Sequence, residues 1–180
     1  MTTDKIIDNY KIISVLGKGG MGVVYKARDI NLDIDVALKM MDARYATDET
    51  FLKRFRGEAR ALARLHNPHI VSIYTFRETE SGLCIVLEYV EGSTLADVIK
   101  TAGQLSYQES MEIIKQLLDA LKYAHQAGII HRDIKPSNIM LTINKEVKVT
   151  DLRNALESLI HNGKVSIELT PAVGCSIKWR

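Results

Sequence analysis

The stretch His131-Arg132-Asp133-Ile134-Lys135-Pro136-Ser137-Asn138 constrains this chain more than any other, because it sets a carboxylate, an ammonium and an amide at fixed offsets on one short loop. An aspartate can accept the proton of an attacking hydroxyl, a lysine two residues on can neutralise a moving phosphoryl group, and an asparagine three further on can hold a metal ion. Positioned charge is most of what phosphoryl transfer requires, so the fold has to hold these groups in place. The five fixed places of H-R-D-x-K-x-x-N arise by chance in a chain of this length on the order of 10^-4 of the time. The competing reading is a polar turn after a helix.

At 180 residues the chain can form one domain with a sizeable core or two small ones. A net charge of +2 and a charged fraction of 26% describe an ordinary surface, with no excess of one sign to suggest nucleic acid or an anionic membrane as partner. The N-terminus, Met1 to Asp8, carries acidic residues and has no apolar run of signal-peptide length. The longest strongly apolar stretch, Leu83 to Val90, is interrupted by Glu88 and is far too short for a bilayer span. A cytoplasmic location is the expectation. Cys84 and Cys175 are far apart and outside any C-x-x-C spacing, so neither metal nor dithiol chemistry is suggested, and Cys84 reads as a small core residue.

From Tyr10 to Val24 apolar residues alternate around a glycine cluster, which predicts a strand, a tight turn and a second strand. Val36 to Met40 predicts a third strand. Phe51, Phe55, Ala59, Leu62 and Leu65 fall at helical spacing, and His69 to Tyr74 and Leu83 to Val90 complete about five strands, with Glu80-Ser81-Gly82 as a turn. Gly92-Ser93-Thr94 is expected to break the pattern before a short helix. Ser106 to Glu109 has the S-x-x-E form of a capping box, so a long helix should start there and stop at Gly128. Ile113, Leu117 and Leu121 beside Ile114, Leu118 and Ala124 give that helix a wide apolar face. Ile139 to Leu141 and Val147 to Val149 read as a small hairpin turning at Asn144-Lys145, with Asp151 at its far end.

Gly17-Lys18-Gly19-Gly20-Met21-Gly22-Val23-Val24 has the form G-x-G-x-x-G-x-V, in which residues lacking a Cβ let backbone amides approach phosphates. Alone the pattern fits a flexible hairpin equally well. Its place between two predicted strands argues against a dinucleotide-binding fingerprint, which runs from strand to helix. Lys39 in Val36-Ala37-Leu38-Lys39 and Glu58 in Arg56-Gly57-Glu58 would each pass for ordinary surface residues if they stood alone.

Together these motifs resemble the eukaryotic-like protein kinases, specifically their bacterial serine/threonine branch. The resemblance implies an α+β fold: a complete small lobe of about five antiparallel strands and one helix over 1–90, hinge included, and the first part of a helical large lobe over 91–150. It implies ATP and Mg2+ as cofactors and a protein with Ser or Thr hydroxyls as substrate. Asp133 would be the base, Lys135 the transition-state cation, Asn138 and Asp151 the metal ligands, and Lys39 the phosphate-pairing lysine oriented by Glu58. Gly17, Lys18, Gly19, Gly20, Met21 and Gly22 would cover the phosphates. The main chain of Glu88 and Val90 would meet adenine, whose faces would lie between Leu16, Val24, Ala37 and Met140, with Leu87 behind the base. His131 and Arg132 would brace the loop, and His66 and His125 read as structural.

The pattern also departs from that family. Leu152-Arg153 stands where Phe-Gly is expected after Asp151, and no A-P-E motif follows before Arg180. The apolar face of the long helix would then lack its usual cover, which implies self-association through it. Residues 151–180, in which Leu152, Ala155, Leu156, Leu159 and Ile160 predict an amphipathic helix and which end in Gly174-Cys175-Ser176-Ile177-Lys178-Trp179, are similar to the C-terminal end of thioredoxin-like redoxins, though no redox activity carries over. The functional expectation is a serine/threonine kinase impaired by the missing half-lobe. A non-catalytic nucleotide-binding or interaction module is the alternative.

Overall fold

The computed structural model describes residues 5–19, 22–41, 62–79, 82–131 and 133–150. Gly20, Met21, Glu58, Asp151, most of the expected helix from Phe51 and the redoxin-like tail lie outside the described residues.

Strands β1 (Ile6–Ile7), β2 (Tyr10–Gly19), β3 (Gly22–Asp29) and β4 (Ile34–Met41) pair antiparallel in chain order. β6 (Gly82–Glu88) joins the far side of β4, and β5 (Ile73–Thr79) forms the opposite edge, giving the order β1-β2-β3-β4-β6-β5. The two-residue β1 is the addition to the five strands expected. Along β4 the alternation of side chains sends Val36, Leu38 and Met40 into one cluster with Cys84 and Val86 of β6. Ala37, Lys39 and Met41 therefore face the other way, beside Ile85 and Leu87, onto a cavity. Each Val or Leu so buried contributes about 1.5–3 kcal/mol, which fixes the register, since a slip by one residue would turn Lys39 into the core. Two bulges in β2, between Ile12 and Ser14 and between Val15 and Gly17, bend the first hairpin as it reaches the glycine motif.

The strand expected over His69 to Tyr74 is displaced. β5 begins only at Ile73, whereas Ile70 forms a parallel bridge with Val149, and the main chain of residues 69–71 bonds with Val149 in both directions. Local alternation could not distinguish a strand of the first sheet from a segment that crosses to another one.

That other sheet has three strands, β7 (Gly92–Thr94), β8 (Ile139–Thr142) and β9 (Val147–Val149), in that order. Gly92 to Thr94, expected only as a break, is thus a strand. A Cβ on Gly92 would stand 2.1 Å from the Leu141 carbonyl oxygen, so glycine is what permits the pairing. The β8–β9 hairpin forms as expected, with Lys145 at φ 62° in its turn.

Helix α1 (Leu95–Ala102) is capped by Thr94, whose hydroxyl accepts from Asp97 N–H. Helix α2 (Tyr107–Gln126) opens on the expected capping box of Ser106 and Glu109. It closes on a Schellman motif: Ile129 N–H donates to Ala124 O, Gly128 N–H donates to His125 O, and Gly128 has φ 77°. The expected apolar face divides. Ile113, Ala120 and Ala124 are buried in the core with Leu117 packed against it, whereas Ile114 and Leu118 remain 43% and 59% exposed. Beside the cluster of Val36, Leu38 and Met40, a larger one runs from Leu62, Leu65, Ile70 and Ile85 to Ile113, Ile139, Val147 and Val149.

Candidate active site

A cavity of about 500 Å3 lies between the two sheets. The first sheet lines it with Leu16, Gly17, Val24, Ala37 and Lys39, the connecting segment with Glu88, Tyr89 and Val90, and the second sheet with Met140 and Val149. Its size and mainly apolar walls suit a small organic ligand with a few polar anchors. Nine residues expected around a nucleotide line it: Leu16, Gly17, Val24, Ala37, Lys39, Leu87, Glu88, Val90 and Met140.

Lys18, Gly19 and Gly22 belong to the β2–β3 hairpin but are not among the lining residues. Gly19 pairs with Gly22, whose φ of 139° is open only to glycine, and among the described residues a Cβ on Gly17 or Gly19 would meet no atom within 4 Å. Gly17 and Gly19 therefore leave space beside their main chain among the described residues. Lys39 stands in register between Val24 of β3 and Ile85 of β6.

The loop around Asp133 is tightly knotted. His131 is 1% exposed; its Nε2 lies 2.8 Å from Thr150 O and its Nδ1 is 3.3 Å from the Asp133 nitrogen. The tautomer protonated at Nε2 satisfies both contacts, donating to the carbonyl and accepting from the amide. Lys135 Nζ is 2.7 Å from Asp133 Oδ2, and Asn138 Nδ2 donates at 2.9 Å to the same oxygen and to the Asp133 carbonyl. The hydrogen bond from Lys135 is the main cause that holds the Asp133 carboxyl below its ordinary range, partial burial opposes it, and Asn138 assists.

Asn138 joins this knot to the cavity. It is buried at 7% exposure, lines the cavity, and sits in a short 3-10 turn (Pro136–Asn138) whose carbonyl accepts from Thr150 N–H. Because its amide nitrogen is used on Asp133, its amide oxygen is the atom left to ligate a hard cation. Among the described residues there is no group of three or more His, Cys, Asp or Glu side chains placed to hold a metal.

Several lining residues were not singled out from the sequence. Met41 follows Lys39 by two positions on the same strand face, so alternation alone could have found it. Thr94 and Asp97 also line the cavity, and their T-x-x-D spacing signals a helix start. Val71 and Ile73 arrive through the displaced segment, for which the sequence carried no signal.

Residues 10–171 match the protein kinase domain family. This chain belongs to that family. Among its relatives, the serine/threonine-protein kinase PrkC of Bacillus subtilis is 46% identical over 147 residues, covering 82% of this chain and 23% of that protein. The serine/threonine-protein kinase PknB of Mycobacterium leprae is 44% identical over 154 residues, covering 83% and 25%. The kinase chain thus spans about a quarter of the length of these curated relatives. The crystal structure of the Mycobacterium tuberculosis PknI kinase domain matches with a TM-score of 0.72 and 30% identity, over 84% of this chain and 61% of that one. These matches identify the first sheet as the small lobe and the second sheet with its helices as the start of the large lobe. The family match also runs past Asp151 into the segment where the Phe-Gly pattern is lost.

Proposed function

We propose that this chain is the nucleotide-binding and base-bearing part of a bacterial serine/threonine protein kinase, transferring the γ-phosphoryl group of ATP to Ser or Thr hydroxyls of a protein. One observation carries the reading: Asn138 lines the cavity with one side and binds Asp133 with the other, so a nucleotide in the cavity and a hydroxyl at Asp133 would share one rigid loop. Adenine is held between Leu16, Val24, Ala37 and Met140, with the main chain of Glu88 and Val90 at its edge; Lys39 pairs with phosphate oxygens under the Gly17 to Gly22 hairpin. A divalent cation supplies charge neutralisation at the phosphates when bound, and Asn138 Oδ1 fits as one of its oxygen ligands. Glu58 and Asp151, which lie outside the described residues, complete the proposed set as the lysine's partner and the second metal ligand.

Asp133 works chiefly by orientation. With both of its side-chain contacts among the described residues on Oδ2, Oδ1 is left to accept a hydrogen bond from the substrate hydroxyl, and a carboxyl whose ionised form is favoured is a weak base. It takes the proton late, as transfer to phosphorus makes the hydroxyl strongly acidic. Lys135 stays within reach of both the carboxylate and the departing charge.

The test is incubation of the pure chain with Mg-ATP and a basic protein substrate, beside Asp133→Asn. Phosphate incorporation is expected to fall by about 10^2-fold or more in the variant. Equal incorporation in both overturns the reading, whereas nucleotide-induced thermal stabilisation without transfer in either favours a binding module. Among the described residues no helix is long and apolar enough to cross a membrane. A cytoplasmic site of action and self-association through the exposed Ile114 and Leu118 belong to the same proposal; sedimentation over a range of concentrations checks the second.

A further inference from the structure

Glu88 does more than offer its main chain to the cavity. Its N–H donates to Ser72 O at 2.9 Å, its Oε2 accepts from Ser72 N–H at 3.1 Å, and its Oε1 accepts from Lys148 Nζ at 2.6 Å. Lys148 lies in β9 of the large lobe, and its side chain and that of Glu88 are only 16% and 22% exposed. The same seam is stitched by backbone, since Val71 N–H donates to Val149 O and Val149 N–H donates to His69 O. The next hinge residue is held from the other side: Lys26 Nζ of β3 stands 4.2 Å from the Tyr89 ring centroid.

The two lobes thus meet at the first hinge residue through one half-buried ion pair. Such a pair is weakly screened, and losing one partner leaves the other charge partly desolvated, so the hinge main chain would have to shift. We propose that Lys148 is a positioning residue for the nucleotide, acting through Glu88 to set the hinge peptide against which adenine is held. The proposal rests on the kinase reading of the cavity and adds to it a large-lobe side chain that lies outside the catalytic loop.

The measurement is the affinity of the full chain for adenosine, Mg-ATP and Mg-tripolyphosphate, the last of which lacks the adenine that meets the hinge. Lys148→Met and Glu88→Gln are each expected to weaken adenosine and Mg-ATP on the order of tenfold and to leave Mg-tripolyphosphate unchanged. Lys148→Arg should retain most of the affinity. The double variant should lose no more than the worse single one, because the pair is already broken. Lys145→Met, which cuts the exposed pair with Glu109 on the outer surface, serves as the control and should change none of the three. Unchanged adenosine affinity in a folded Lys148→Met chain, or equal losses for adenosine and tripolyphosphate, overturns the proposal. Failure of the unaltered chain to bind either Mg-ATP or adenosine would instead overturn the kinase reading.

Discussion

At the scale of single residues, Asp133 illustrates how position creates chemistry from an ordinary carboxylate. Its ionised form is favoured first by the Lys135 ammonium, with partial burial working against it. A folded-state pKa below the unfolded value means that this contact contributes fully above the ordinary aspartate range and is lost as pH falls through the depressed value. Lys135→Met should therefore move the Asp133 titration upward, and the acid limb of any transfer activity with it; a pH–rate profile, or carboxyl titration followed by NMR, checks the direction. Lys135 is itself half exposed, so solvent moderates the shift. Cys84 is the contrasting case, with burial pushing its thiol up to about 11, which fits a core residue and leaves it without nucleophilic character near neutrality.

At the scale of elements, the start of α2 is the clearest local device. Ser106 Oγ accepts from Glu109 N–H at 3.2 Å, while Glu109 Oε2 accepts from Ser106 N–H and hydroxyl at 3.2 and 2.9 Å. Lys145 Nζ, 2.9 Å from Glu109 Oε1, ties the helix to the β8–β9 turn. Lys145 first and Ser106 second bring the Glu109 carboxyl down from 4.5 to about 2. The stabilisation is thus present above pH 4.5 and is lost between there and about pH 2. Glu109→Gln should flatten the stability profile in that window, and Ser106→Ala should cost about 1 kcal/mol at neutral pH; denaturant melts at several pH values measure both. The S-x-x-E spacing announced this cap in the sequence, whereas the Lys145 contact, 36 residues away, had no local sign.

At the scale of the whole molecule, the larger of the two hydrophobic clusters crosses from the small lobe to the large one, while the other lies within the first sheet. Val149 sits where the two lobes join: it is 1% exposed, pairs with Ile139 in the second sheet and bridges to Ile70. The described part of the chain should accordingly unfold in one transition. Val149→Ala is expected to lower stability by about 2 kcal/mol and to shift that transition as a unit. Far- and near-ultraviolet circular dichroism melts that separate into two steps would contradict a shared core.

The candidate site and the local frame were legible in the order of residues alone. The spacing of Asp133, Lys135 and Asn138, the capping box, the glycine hairpin and the alternation along β4 are short-range patterns, so the polymer's own periodicity expresses them. The sequence carried the resemblance that the family match later bore out, along with part of the cavity lining. Tertiary structure alone decided where distant segments meet. His69 to Ser72 crosses to β9 instead of extending β5, Gly92 to Thr94 becomes a strand, and Lys148 reaches Glu88 across 60 residues. None of these has a local signal, because backbone hydrogen bonds and a single ion pair are satisfied by whichever partner the packing of the core brings within reach.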